Sequence, residues 1–485
     1  MEQILVIDQG THASRCMVFT ADGQLLAQTR HPVTIYRQGE RIIEQNAEEI
    51  LASIYYCIDQ LQHQLDFSQV KIAALVTQRS TIVGWHRQTG KMLSPAISWQ
   101  DTRAADTLSA LFPFSEQIKN ISGLPLSAHY GASKMQWLIE NDENCRQAYE
   151  DENLVVAPLA SYLVEQLTGI TEAVVDHVNA QRTQLLDIDQ LDWSEQLLKH
   201  FKLQPHCLPR TKPCLSDYGQ FRHHPIQLKL VTGDQNAAVF AQQLSKENLL
   251  INVGTGGFVL KLTELRNNDP TMLDGIAVTD KNTIQYLQEG TVNGAGSALA
   301  LLFNELDEDH LFQQLPTWLQ SITSPLVFIN TVSGLGSPWW INSIEPYFFN
   351  TEADELNLPE RAVAIIESIV FLLQCNIEKL SDQHTRKINI SGGLARLDGL
   401  CQKLADLSQL VVSRSNNEEA SATGAAWLLG DQQHWQQSEQ QSEQHENFSA
   451  EQNIGLQNRY RQFKQHLVSI SEQHDNSVIN EAANQ

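Results

Sequence analysis

A short apolar run, Ile4-Leu5-Val6-Ile7, leads straight into the polar turn Asp8-Gln9-Gly10-Thr11. The chain then returns through residues 14–19 to a second turn at Ala21-Asp22-Gly23. An apolar run of this length between turn residues reads as a buried strand, and the whole as strand, tight loop and returning strand. The pattern recurs in modified form over 249–258, where Leu249-Leu250-Ile251-Asn252-Val253 enters Gly254-Thr255-Gly256-Gly257. Two such units constrain the chain to two related halves. An acid at a strand end can hold a divalent metal, and a neighbouring glycine and hydroxyl can touch phosphates.

A chain of 485 residues is too long for one ordinary core, so two large domains and an extension are expected. The break falls near 240–248 and gives domains 1–245 and 246–432. Residues 433–485 follow as a Gln-rich segment and a C-terminal helix or tail, with Gln436, Gln437, Gln440, Gln441 and Gln444 among Ser, Glu and His. The last dozen residues are expected to lack fixed structure. A net charge of −24 argues against nucleic acid as a partner, since phosphate-backbone binding is driven by clustered Lys and Arg. It still allows a small anionic ligand held by backbone amides.

Seven cysteines with no C-x-x-C spacing argue against a disulfide framework or structural zinc. Met1-Glu2-Gln3 is expected to lead directly into a strand, with no charged n-region and h-region before the fold. The most apolar helical stretch, 362–373, is interrupted by Glu367 and is too short to span a bilayer. The expected location is cytoplasmic, with no membrane partner. Self-association is left open.

Residues 47–65 carry Ile50, Leu51, Ile54, Ile58 and Leu61 at helical spacing. Strands are expected over 72–76, 228–231 and 388–390, ending at Gln78-Arg79-Ser80, Thr232-Gly233-Asp234 and Ser391-Gly392-Gly393. Helices are expected over 158–167, from Asn236 onward, and over 456–467. Strands alternating with helices give an α/β fold, in which ligands bind at strand ends and helix starts.

Phosphoryl transfer needs a metal against the phosphates, donors to hold them, and a base for the acceptor hydroxyl. Asp8 is the metal-side candidate and Asp234 the base candidate. Taken singly, each could equally be an Asx-turn or a helix cap. No G-x-x-x-x-G-K-[ST] sequence is present, which excludes a P-loop. No G-x-G-x-x-G follows an early strand. The pairs His206-Cys207 and His223-His224 lack further spaced ligands and read as parts of a polar connection. Trp339-Trp340 reads either as a stacking platform or as a buried anchor.

Taken in order, the motifs resemble the FGGY family of carbohydrate kinases, most closely its glycerol kinase branch, over roughly residues 3–430. Asp8-Gln9-Gly10-Thr11 with Ser14-Arg15 is similar to the first phosphate motif. Gln78-Arg79 is similar to the sugar-contact motif, and Trp99-Gln100-Asp101-Thr102-Arg103 to the segment after it. Gly233-Asp234-Gln235-Asn236-Ala237-Ala238 resembles the catalytic-aspartate motif, and Gly254-Thr255-Gly256 the second phosphate motif. Gly334-Leu335-Gly336-Ser337-Pro338 and Ser391-Gly392-Gly393 resemble a signature segment and the adenine-side motif of the second domain. Glu419 to Gly424 with Ala425-Ala426 resembles the final family helix.

The resemblance implies two ribonuclease H-like (actin-like ATPase) domains around a cleft that closes on its ligands. ATP would bind mostly to the second domain, and a small polyol or sugar to the first. Asp234 would be the general base and Asp8 would serve Mg2+. Thr11 and Thr255 would serve the phosphates, with His12, Arg15 and Gly254 beside them. Gly296, Gly392 and Gly393 would border the adenosine. Arg79, Ser80, Trp99, His129, Asp234, Gln235 and Phe258 fall at positions expected to meet the acceptor. Without the resemblance, Trp99 and Phe258 read as core aromatics.

Four places depart from the pattern. Ser80 stands where glycerol kinases carry an acid, and His129 where they carry Tyr. His12 replaces a Thr or Ser of the phosphate loop. Trp339-Trp340-Ile341-Asn342 replaces a Trp-Asp-Pro segment, so an acid and a basic residue of that loop are absent. These changes alter the hydrogen-bonding complement of the site. They leave a ketose (pentulose-type) kinase open beside a glycerol-like one. A non-catalytic sugar or nucleotide sensor of the same fold is also left open.

Overall fold

The N-terminal apolar run forms β1 (Gln3–Gln9), buried on both faces, which pairs antiparallel with β2 (Ala13–Thr20). The structure, a computed structural model, describes residues 2–39, 41–241, 246–341, 344–351, 355–414, 419–435 and 446–483, with 473–483 by backbone alone. Boundary residues 242–245, Asn342 and the Gln-rich stretch 436–445 lie outside the described residues.

β3 (Leu25–Pro32) pairs antiparallel with β2. α1 (Ala47–Gln62) follows, capped by the Asn46 side chain, which accepts from the N–H groups of Glu48 and Glu49. It buries Ile50, Ile54, Ile58 and Leu61 against the sheet, as the spacing predicts. β4 (Val70–Thr77) and β5 (Gln227–Gly233) complete the sheet in the order β5-β4-β1-β2-β3, with β1, β4 and β5 parallel. Between them come α2 (Gly131–Asn141), α3 (Leu159–Thr168) and the short α4 (His177–Gln181). α5 (Asp234–Ala241) leaves the end of β5.

The second half repeats the plan. Its strands are β6 (Asn248–Val253), β7 (Gly257–Thr263), β8 (Leu273–Thr279), β9 (Ile284–Val292), β10 (Lys387–Ser391), β11 (Val411–Arg414) and β12 (Glu446–Phe448). They run in the order β8-β9-β7-β6-β10-β11-β12. The inner five, β9-β7-β6-β10-β11, match the first sheet in order and direction: two antiparallel pairs, then two parallel pairs. The repeated strand–loop–strand of the sequence is thus the centre of each sheet, and the α/β, actin-like expectation is borne out.

Helices α6 (Leu358–Leu380), α7 (Asp398–Ser408) and α8 (Ala420–Leu429) belong to this half. α5 and α8 bury Ala237, Val239 and Phe240 with Ala422, Ala425 and Ala426 in a layer that also holds Ile4 and Val6 of β1 and Leu250 of β6. The two helices meet at Gly424, where a Cβ would lie 1.9 Å from the Ala237 carbonyl oxygen.

The last helix, α9 (Ile454–Ala483), docks Leu456, Phe463 and Leu467 into the second core, in line with the expected helix over 456–467. It continues to Ala483, into the final stretch expected to lack structure, and no Gly or Pro follows Gly455 to stop it. Glu367, the charge interrupting the apolar stretch of α6, is buried and receives Arg459 of α9 (2.7 and 2.8 Å) and Lys403 of α7 (2.8 Å). No described helix is long and apolar enough to cross a membrane. All seven cysteines are buried and free.

Candidate active site

Three parallel strands of the first sheet end in polar residues on one edge. β1 ends by Asp8, β4 is followed by Arg79, and β5 by Asp234. The carboxyl ends of parallel strands form the crevice in which α/β sheets bind ligands.

Asp8 is buried, and Arg15, its partner across the β1–β2 ladder, lies 3.7 Å from it. Arg15 also reaches Glu419, the residue preceding α8, at 2.5 Å. Burial pushes the Asp8 carboxyl up to about 6; Arg15 offsets part of this, while Asp234 and Glu419 add to it. A buried acid held so high, with one distant cation as partner, gains most from a further positive charge.

Asp234 opens α5, and its Oδ1 accepts from the Gln235 N–H at 2.7 Å. Its side chain is 33% exposed, and Arg79 Nε lies 3.7 Å away. Burial raises its carboxyl above the usual range, with Arg79 opposing. Arg79 is locked in turn: Nη1 donates to Asn236 Oδ1 at 2.9 Å and Nη2 to Gln235 Oε1. Its stem lies over Gly233, where a Cβ would sit 2.5 Å from Arg79 Cδ, so only glycine allows this course. Burial and the nearby Arg182 bring Arg79 down to about 10, against the pull of Glu289 and Asp234.

The expected acceptor residues gather beside this group. The Trp99 indole donates to Thr11 Oγ1 at 2.9 Å, joining the phosphate loop to the aromatic wall. His129 meets the Trp99 ring edge-on, with centroids 5.7 Å apart. Burial holds the imidazole well below its usual range, and Lys134, Arg182 and Arg79 add to the effect, so it is neutral at physiological pH. Ser80 is buried at φ 61°, with its hydroxyl donating to the Arg182 carbonyl at 3.3 Å. His12 is exposed, and its carbonyl accepts from the Val33 N–H. Phe258 packs half-buried against the layer between the sheets and makes no ring contact with Trp99 among the described residues.

On the second sheet, the loop between β6 and β7 is braced from behind. Gly296 N–H donates to the Gly254 carbonyl (2.8 Å) and Ser297 N–H to that of Thr255 (3.0 Å). A Cβ on Gly296 would lie 2.7 Å from Gly254 O. Gly392, at φ 100°, leaves β10 with no room for a Cβ, which would be 2.4 Å from Val253 O. Gly254 and Gly393 instead face open space. Gly254, Thr255, Gly296, Gly392 and Gly393 therefore share one edge of the second sheet. Backbone amides at strand ends of this kind can hold anions.

Sequence reasoning missed two buried cations here. Arg182, just after α4, pairs with Glu289 of β9 at 2.9 Å, both almost fully buried. Lys134 of α2 is buried without a carboxylate partner within 4.0 Å among the described residues. Neither lies in a motif, and Lys on a helix ordinarily reads as surface.

The remaining candidates have structural roles. Trp340 donates to the Thr271 carbonyl at 2.8 Å and Trp339 packs on the second core, so the pair anchors its loop. His206 lies tilted against Tyr149, and His223 and His224 meet Tyr55 and Phe67 edge-on. Among the described residues no cluster of three or more His, Cys, Asp or Glu could hold a metal.

A duplicated sheet of this topology, with carboxylates on one edge and glycine loops on the other, defines the actin-like ATPase fold. The profiles of the FGGY family of carbohydrate kinases match residues 3–234 (N-terminal domain) and 249–430 (C-terminal domain). A glycerol kinase of Halothermothrix orenii is 30% identical over 446 residues, covering 88% of this chain and 89% of its own. The crystal structure of Plasmodium falciparum glycerol kinase with ADP superposes with TM-score 0.85 at 21% identity, covering 97% of this chain and 98% of that one. A ligand-bound xylulose kinase from Lactobacillus acidophilus gives 0.83 at 20%, covering 97% and 99%. The chain belongs to the FGGY family of carbohydrate kinases and is a phosphotransferase.

Proposed function

We propose that this protein transfers the terminal phosphoryl group of ATP to a hydroxyl of a small polyol or sugar bound against the first sheet. The observation that carries this reading is the grouping of Asp8, Arg79 and Asp234 at the ends of neighbouring parallel strands. Asp234, raised by burial yet open to the cleft, takes the proton from the attacking hydroxyl. Positioned general bases contribute about 10²–10⁴-fold. Arg79, fixed by Gln235 and Asn236, donates to a neighbouring hydroxyl and keeps the Asp234 carboxylate aimed. Trp99 covers the carbon backbone of the acceptor and excludes water.

The high carboxyl of Asp8 fits a magnesium ion, which when bound supplies positive charge to the phosphates. Thr11, Arg15, Gly254 and Thr255 bind the phosphates; Gly393 leaves room for the adenosine, and Gly296 and Gly392 let the loops that border it pack closely. His12, exposed at the loop, offers a further donor.

Glycerol is the first acceptor to test. A ketose is the second reading, favoured by Ser80, whose hydroxyl is turned to the Arg182 carbonyl and offers the acceptor no carboxylate. ADP release measured across glycerol, erythritol and ketoses with ATP and magnesium separates the two. Binding of these ligands by calorimetry without ADP formation would overturn both in favour of a sensor.

A further inference from the structure

Lys134 stands in the second turn of α2, with its side chain fully buried. Its ammonium makes three hydrogen bonds, all to backbone carbonyls: His129 O at 2.8 Å, Ser80 O at 3.2 Å and Trp99 O at 3.4 Å. Three donors thus meet three acceptors, and those acceptors belong to three of the residues expected to meet the acceptor substrate. We propose that Lys134 is the positioning residue of the acceptor pocket, holding the Ser80, Trp99 and His129 segments in register with one another and with Arg79. The inference rests on the kinase reading above and goes beyond it in assigning what fixes the pocket's shape.

Cost and geometry both support it. Burying an ammonium without a counter-ion costs far more than burying an apolar chain of the same length. Burial pulls Lys134 down to about 7 even with Asp101 opposing, and Arg103 adds to the pull. A methionine would fill the same volume at less cost, so packing alone does not explain a lysine.

The segments that it joins are far apart in sequence and irregular in backbone. Ser80 sits in the left-handed region, and Trp99 and His129 lie in turns. No sheet ladder passes through any of the three to set its position. Their other ties are Ser80 to the Arg182 carbonyl, Trp99 to Thr81 and Thr11, the His129 N–H to Ser127 Oγ, and the edge-on contact of the Trp99 and His129 rings, none of which reaches Ser80 together with the other two. Among the described residues, Lys134 is the group that hydrogen-bonds to all three.

The test uses the full chain with Lys134→Met and Lys134→Gln, and Lys403→Met as a buried-lysine control. Lys403 pairs with Glu367 in the second half, remote from the pocket in role and sequence. Coupled ADP release gives KM for the best acceptor at saturating ATP, KM for ATP at saturating acceptor, and kcat; melting gives Tm. For K134M the acceptor KM should rise by about tenfold or more, with the ATP KM and kcat within about threefold, because the displaced groups act in acceptor binding. K134Q, keeping two donors, should fall between K134M and wild type. K403M should lower Tm and leave the acceptor KM unchanged.

A lowered Tm with an unchanged acceptor KM in K134M would overturn the inference. So would failure of both Lys134 variants to fold, which would make this lysine a stabiliser of the whole domain. Absence of turnover in the wild type on every acceptor would instead remove the kinase reading, and this inference with it.

Discussion

Gly424→Ala tests whether the close contact between α8 and α5 sets the position of the proposed base. Gly424 is in the middle of α8, where alanine is favoured by about 1 kcal/mol on helix propensity alone. Sterics oppose this. A Cβ there lies 1.9 Å from Ala237 O, 2.8 Å from Ala237 C and 2.9 Å from Ala241 N. All three are backbone atoms of α5, so no side-chain rotation relieves the overlap. The helices must part by roughly 1.5 Å to restore ordinary contact.

Overpacking of this kind costs about 1–3 kcal/mol, and a backbone-to-backbone clash belongs at the upper end. About 2 kcal/mol of destabilisation remains after the propensity gain. At about 2–4 °C per kcal/mol for units of this size, Tm should fall by about 4–8 °C. Because α5 begins at Asp234, the same shift moves the carboxylate, and a misplacement near 1 Å costs on the order of 10² in rate. Scanning calorimetry and coupled ADP release on the purified variant check both numbers. A Tm and kcat equal to wild type would refute the argument that the helix contact places Asp234.

Gly393→Ala makes the opposite case. Its Cβ meets nothing within 4 Å, so Tm should hold while the KM for ATP rises about tenfold; an unchanged KM would remove Gly393 from the nucleotide wall. His177, buried with its Nδ1 3.0 Å from Thr279 Oγ1, is held down to about 4 by burial, partly offset by Asp192. Between pH 6.5 and 4 the unfolded chain takes up a proton that the folded chain refuses, so stability falls as pH falls, by roughly 3 kcal/mol across that window. His177→Gln should flatten Tm against pH there, and an unaltered slope would show that another group governs acid lability.

The parts legible in the sequence were those in which local chemistry and position coincide. The apolar runs before Asp8 and Gly254 could only be buried strands, and the turn residues after them could only sit at strand ends. The helix over 47–65 was readable because Ile50, Ile54, Ile58 and Leu61 repeat on one face. The parts that stayed hidden depend on contacts between distant segments. Arg182 and Glu289 lie 107 residues apart and meet because the end of α4 packs against the second sheet. Lys134 has the spacing of an ordinary helical lysine, and its burial follows from the loops folded over α2. Gly424 looks like a weak point in a helix until Ala237 of α5 is set against it. Trp339-Trp340 allowed a platform or an anchor, and the bond to the Thr271 carbonyl, 69 residues away, decides for the anchor.

Asp234 is the proposed base of a phosphoryl transfer to a small polyol or sugar. Asp234→Asn keeps the shape and the Gln235 contact but removes the proton acceptor. In a coupled ADP-release assay with ATP, magnesium and the best acceptor, the variant should lose at least about 10²-fold in kcat with Tm preserved or raised. Turnover equal to wild type in the folded variant would contradict the claim.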